Sequence, residues 1–333
     1  MRVPEYVHGC ISNVFTMWDT DGRFHEAGQR RFLDYLVDTG SITSFFVRSG
    51  MGQMYAYEYD DVVAMARTAC THLAGKAPVI VGTAGVWNGN YDRRPDAKTF
   101  VDQGIALGKM AMEAGAAGVV HTMPEAILPN AGESYGDLIC RYFETICGAA
   151  PDVPVLAYQP PRTIPEYRVD MKIIARLAEI PNMVAMKVST ADAQYLFNLC
   201  HAISGKDFAF IAGNENAFYA ALYAGASACI GQGCTINAPV VRAIQDRFEA
   251  GDHEGALAAQ WSTNHLCNEA RCPVEFFKRY VTEKGYPVPV YARVDKNNPY
   301  AESPVPITQE QYDHFKCVLE TEMAKYESVP VGV

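Results

Sequence analysis

Met183-Val184-Ala185-Met186-Lys187-Val188-Ser189-Thr190 is an apolar run that carries one amine near its end and two hydroxyls after it. Read as a strand, its side chains alternate between faces, so Met183, Ala185 and Lys187 share one and Val184, Met186 and Val188 the other. Ser189 and Thr190 offer a start for the next helix. An ammonium held among apolar groups loses hydration, which lowers its pKa and raises the share of free amine. That is the route by which a lysine forms a Schiff base with a carbonyl substrate. The plainer reading is a lysine that ends a strand and snorkels to water.

Working outward, similar runs recur on both sides. Val7–Phe15, Ile42–Val47, Pro78–Gly82, Ala117–His121, Val153–Tyr158, Met183–Val188, Phe208–Ala212 and Ser227–Ile230 read as strands. Stretches of helical spacing separate them: Phe24–Thr39, Asp60–Leu73, Ala97–Ala114, Tyr135–Cys147, Tyr167–Glu179, Ala191–Ile203 and Ala217–Tyr223. Eight strand–helix alternations in about 250 residues predict an α/β fold, a (β/α)8 TIM barrel over 1–250. A doubly wound sheet fits less well, because Gly50-Met51-Gly52 is an isolated G-x-G and no glycine completes the dinucleotide fingerprint. Residues 251–333 read as a C-terminal helical extension. It is helical from Glu254 to Glu283, continues through a Pro- and Tyr-rich loop over Gly285–Pro306, and ends in a helix opened by a Thr308/Gln311 capping box.

The charge balance, 28 basic against 38 acidic residues for a net −10, argues against non-specific binding to nucleic acid or to an anionic membrane. No apolar run is long enough to span a bilayer, and the N-terminus lacks the apolar core of a signal peptide, so a cytoplasmic location is expected. Ten cysteines include no C-x-x-C; the nearest pairs are Cys140/Cys147, Cys229/Cys234 and Cys267/Cys272. Reduced thiols in the core are expected.

In a barrel of this type the reactive face lies at the C-terminal ends of the strands. Lys187 ends the sixth strand and Tyr158 the fifth, so a phenol able to shuttle protons would stand beside the amine; alternatively Tyr158 is a core tyrosine with a satisfied hydroxyl. After the second strand, Ser49-Gly50-Met51-Gly52 exposes backbone N–H groups suited to a carboxylate. Arg48 adds a charge there or serves in a salt bridge. Gly213, Glu215 and Gly231 offer walls for a pocket, with Glu215 either orienting substrate hydroxyls or favouring a helix start. His121 faces the site or sits satisfied in the core. No H-E-x-x-H, G-x-S-x-G or Walker-type loop is present, and no metal is expected.

These residues resemble the dihydrodipicolinate synthase / N-acetylneuraminate lyase family of class I, Schiff-base-forming aldolases. Thr16-Met17-Trp18-Asp19-Thr20-Asp21-Gly22 is similar to the family's early T-P-F…D-G segment. Pro154 to Thr163 resembles P-V-x-x-Y-N-x-P-x-R-T, and Ala185-Met186-Lys187-Val188-Ser189-Thr190 resembles G-x-K-x-S/A-S/T around the Schiff-base lysine. Gly225-Ala226-Ser227 leading to Asn237-Ala238-Pro239 resembles the segment near the eighth strand. The resemblance implies a homotetramer without metal or nucleotide cofactor, in which Lys187 binds pyruvate or another 2-oxo acid as an imine, Tyr158 is the general acid/base, and Arg162 is in the place of a carboxylate-binding arginine, one residue early. The family's G-T-T-G-E loop falls on Ser49-Gly50-Met51-Gly52-Gln53, and its T-P-Y-Y on Met123-Pro124-Glu125-Ala126, so both threonines and the tyrosine pair are replaced.

The expected function is therefore a lyase of aldolase type acting on a 2-oxo acid and an aldehyde partner. Alternatives are dehydration or deamination of a 2-keto-3-deoxy or related acid through the same imine, or a non-catalytic sensor of 2-oxo acids.

Overall fold

Short β-rich runs separated by helices bury both faces of a sheet only if it is parallel and covered, and closing it removes the edges. The computed structural model describes residues 1–269, 274–293 and 308–326. Its strands are β1 (Gly9–Asn13), β2 (Ser44–Val47), β3 (Val79–Gly82), β4 (Gly118–Thr122), β5 (Val155–Gln159), β6 (Met183–Val188), β7 (Ala209–Ala212) and β8 (Ala228–Cys229). They form a closed barrel in sequence order, all pairs parallel, with β8 returning to β1. The expected TIM barrel is what the chain builds.

Inside the barrel lie Ile11, Phe46, Ile80, Val120, Leu156 and Ile211, while their chain neighbours, among them Val79, Val81 and Val119, face the helices. Strict alternation fails at one place. Between β5 and β6 the register passes from Val155/Met183 to Leu156/Ala185, leaving Val184 without a partner. Val184 and Ala185 both join the interior cluster and Met183 the outer one, so Met183 does not share a face with Ala185 and Lys187 as the sequence suggested. The bulge inserts one residue and resets the faces before Lys187.

Several predicted boundaries also move. Val7 belongs to a turn bonded to Pro4, and the strand begins only at Gly9, which adopts φ 76°. The predicted helix over Tyr167–Glu179 shortens to Met171–Leu177 behind the single 3-10 turn Pro165–Tyr167, because Asp170 caps its N-terminus. The helix after β6 starts at Asp192, whose carboxylate accepts from the Tyr195 N–H; Thr190 lies outside it and accepts from the Asp192 N–H instead.

The extension packs against the first helix, Glu26–Asp38: Phe277 meets Phe15, Phe32 and Tyr35 with centroids 5.8–6.2 Å apart. Its helices are His253–Glu269, Val274–Glu283 and Gln309–Met323, the last opened by the Thr308/Gln311 capping box. Residues 270–273, which include Cys272 and part of the expected Glu254–Glu283 helix, lie outside the described residues, as does 294–307 of the Gly285–Pro306 loop. Most described cysteines are buried free thiols, while Cys267 and Cys317 are exposed. No helix among the described residues is long and apolar enough to cross a membrane.

Two latches tie the extension to the loops above β1 and β2. The Lys278 amine is buried and donates to the carbonyls of Thr16 (2.8 Å) and Tyr291 (2.7 Å). Arg293 lies 4.2 Å from the Trp18 ring, donates to Gly22 O and Ala56 O, and pairs with Asp61. Gln53, in left-handed conformation, accepts from Trp18 Nε1 and donates to Arg293 O.

Burial pulls the Lys278 pKa down to about 7 from its ordinary value of 10.5. Between those values the unfolded chain holds a proton that the folded chain lacks, so stability rises with pH across that window; below about 7 the full penalty of a buried ammonium is present. Lys278→Met is expected to flatten this rise, by up to about 5 kcal/mol in total, in urea unfolding measured at intervals from pH 7 to 10. Equal slopes in the two proteins would show that the amine stays charged when folded.

Candidate active site

Strand ends place the two residues singled out first. Tyr158 on β5 and Lys187 on β6 are register partners, and the Lys187 Nζ lies 4.1 Å from the centroid of the Tyr158 ring. Both are buried, Lys187 at 4% exposure. No carboxylate pairs with the amine among the described residues; its other close neighbour is the Phe46 ring, 5.8 Å away, which itself meets Tyr158 edge-on at 6.1 Å. A lysine held this way neither snorkels nor sits in an ion pair.

The amine faces a cavity of about 270 Å³ at the C-terminal mouth of the barrel. Asn13, Met51, Tyr158, Lys187, Glu215 and Gly231 contribute to its wall, as do Gly213 and Cys267. Of the predicted cradle, Met51 reaches the cavity. Gly52 turns its N–H inward to Ser49 Oγ (3.1 Å), and a Cβ at Gly52 would meet Val14 O at 2.6 Å. Ser49 is buried and its carbonyl accepts from Met54. The N–H groups of Gly50 and Met51 have no acceptor among the described residues, and of the two residues Met51 lines the cavity. Arg162 is exposed and outside the cavity; the neighbouring Pro161 lines it.

Glu215 projects from the loop after β7, and its Oε1 accepts from the Gly233 N–H (2.9 Å), with the Cys267 thiol at 3.7 Å. Burial raises the pKa of its carboxyl, against the lowering by the Gly233 hydrogen bond. Gly231 has no side chain because none fits: a Cβ there would stand 1.9 Å from Glu215 Oε2 and 2.8 Å from Glu215 N. Gly231→Ala is expected to cost about 1–3 kcal/mol of stability and to displace the carboxyl, reducing turnover; unchanged thermal melting and activity would show that the carboxyl has room to swing away.

Some of the wall was not foreseen. Asn13 ends β1, its side-chain Oδ1 accepting from Thr235 Oγ1 at 2.7 Å. A polar residue closing an apolar strand was a readable signal there. Cys267 arrives from the extension, and nothing local marks it. His121 takes its plainer reading: it faces outward, bonded to Thr83 (3.0 Å) and Tyr142 (2.9 Å), and burial lowers its pKa to about 3. Among the described residues no three His, Cys, Asp or Glu side chains converge as a metal site.

A family model described as the dihydrodipicolinate synthetase family matches residues 6–322. The chain is 27% identical over 257 residues to a 4-hydroxy-tetrahydrodipicolinate synthase of Acidiphilium cryptum, covering 76% of this chain and 79% of that protein. A 4-hydroxy-tetrahydrodipicolinate synthase of Thermus thermophilus is 27% identical over 236 residues, 71% of this chain and 72% of its own. Among solved structures, N-acetylneuraminate lyase from Mycoplasma synoviae superposes with a TM-score of 0.75 at 19% identity, over 97% of this chain and 99% of that one. A prophage protein of the dihydrodipicolinic acid synthase family from E. coli K12, solved in complex with pyruvate, gives 0.76 at 19% identity, over 95% and 98%. With a lysine and a tyrosine paired at the mouth of a closed barrel, and a family model matching nearly its whole length, this chain is an enzyme belonging to the dihydrodipicolinate synthetase family.

Proposed function

We propose that the protein is a lyase of aldolase type that captures pyruvate or another 2-oxo acid as an imine on Lys187. The observation that carries this reading is the buried amine facing a cavity beside Tyr158, without an ion-pair partner among the described residues. The free amine adds its lone pair to the 2-carbonyl carbon, and loss of water leaves a cationic imine. That nitrogen accepts the electron pair of a bond to C3, whether C–H or C–C, so the enamine forms without a metal or a nucleotide. Tyr158, across from the amine, donates to the departing hydroxyl and takes protons back in the reverse sense. The Gly50 and Met51 N–H groups receive the carboxylate. Glu215 and Gly213 border the space for the carbons beyond C3. The family's tetramer belongs to the same reading.

Borohydride reduction in the presence of pyruvate, followed by peptide mapping, tests it. One pyruvate-derived adduct on Lys187 is expected. An adduct on another residue, or none with any 2-oxo acid, would overturn the mechanism.

A further inference from the structure

A second recess is built on β2, β3 and β4. Phe46, Arg48, Tyr55, Trp87, Phe100 and Thr122 are in its wall. Phe46 links it to the reacting centre, its ring lying 5.8 Å from Lys187 Nζ, and Thr122 is the register partner of Tyr158. The slot is narrow, about 30 Å³. By the space a buried water needs, that admits about two waters, or one small polar group in their place, but no further ring.

Arg48 is 5% exposed, and its backbone is left-handed at φ 53°, a conformation a non-glycine residue holds only under constraint. Its guanidinium has five N–H groups. Nη1 donates to Gly82 O (3.2 Å) and Ala84 O (2.5 Å), and Nη2 to Gly85 O at a long 3.5 Å. Nε is buried with no acceptor, so of the five donors three are engaged and two remain. No carboxylate offsets the charge among the described residues; the ionisable groups that face it are the phenols of Tyr55, Tyr57 and Tyr142, with the His121 imidazole nearby. A cation buried against carbonyls and neutral rings, in the wall of a slot and with two donors unused, has the chemistry to take up an anion.

We propose that Arg48 receives a second carboxylate on the substrate, so that the 2-oxo acid taken up at Lys187 is a dicarboxylic one whose far end enters the aromatic slot. This rests on the imine reading of Lys187. The competing role for Arg48 is a staple that only pins the end of β2 to the loop after β3.

The test compares 2-oxoadipate with 2-oxohexanoate, equal in length and differing in the terminal carboxylate, by the concentration that half-saturates borohydride capture at Lys187. The wild-type protein is expected to prefer 2-oxoadipate by about ten-fold or more. Arg48→Gln is expected to bring the two within about three-fold of each other. Arg48→Lys, which keeps the charge but not the fork, is expected to lose most of the preference and serves if the glutamine variant does not fold. Equal capture of both acids by the wild type, or a preference that survives in a folded Arg48 variant, would overturn the proposal. Calorimetric binding of adipate against hexanoate reads the slot without an imine. If pyruvate is not captured at Lys187 but adipate still binds through Arg48, the imine reading fails and the anion site stands.

Discussion

Lys187→Met is expected to remove turnover by at least about four orders of magnitude and to abolish borohydride capture of any 2-oxo acid, with the barrel intact. The chemical part follows from the geometry. No other amine among the described residues lines the cavity, and without a nucleophile there is no imine to draw electrons from C3. The folding part follows from burial. Lys187 is nearly inaccessible, lies between the rings of Phe46 and Tyr158, and forms no ion pair among the described residues, so an unbranched apolar side chain of similar length fills its place. Replacing an uncompensated buried amine in this way leaves stability within about 1 kcal/mol of wild type, or raises it. Circular dichroism, urea unfolding and the capture assay on one preparation check both parts. Residual capture at wild-type rate would move the nucleophile elsewhere; loss of the fold would mean that the amine holds the barrel together.

Tyr158→Phe is expected to separate two steps that Lys187 joins. The phenol delivers and withdraws protons, and losing a positioned acid/base costs about 10²–10⁴ in kcat. Adduct formation with pyruvate continues, because the amine and the Gly50–Met51 N–H groups remain in place. The ring itself stays: Tyr158 packs edge-on against Phe46, and no hydrogen bond from its hydroxyl to a described residue is lost. Single-turnover kinetics would show slow exchange of the C3 protons of pyruvate in deuterated water, with capture at Lys187 still reaching completion. Wild-type exchange would assign the proton transfer to another group, of which Glu215, with its raised pKa, faces the same cavity.

Much of the architecture was legible because it rests on local periodicity. Strand runs such as Val119–Val120 and Ile80–Val81 alternate faces as their spacing indicates, and the helix starting at Gln309 begins where Thr308 and Gln311 mark it. Where reading failed, a longer-range constraint intervened. The β5–β6 register skips Val184, a bulge that no pattern in Met183–Val188 announces. Arg162, which stands by resemblance in the place of a carboxylate-binding arginine, is exposed outside the cavity, while Arg48 is buried without a carboxylate partner among the described residues.

The order of strands and helices, and the single amine at the end of an apolar strand, were set by the sequence itself, since side-chain spacing along the chain decides which face meets water. Closure of the barrel decided everything that needs distant residues to meet. It brings Asn13, Lys187 and Cys267 to one cavity, lets the extension grip Gln53 through Arg293, and leaves Arg48 with donors unspent beside Phe46. Those meetings depend on register and packing across hundreds of residues, which only the folded chain fixes.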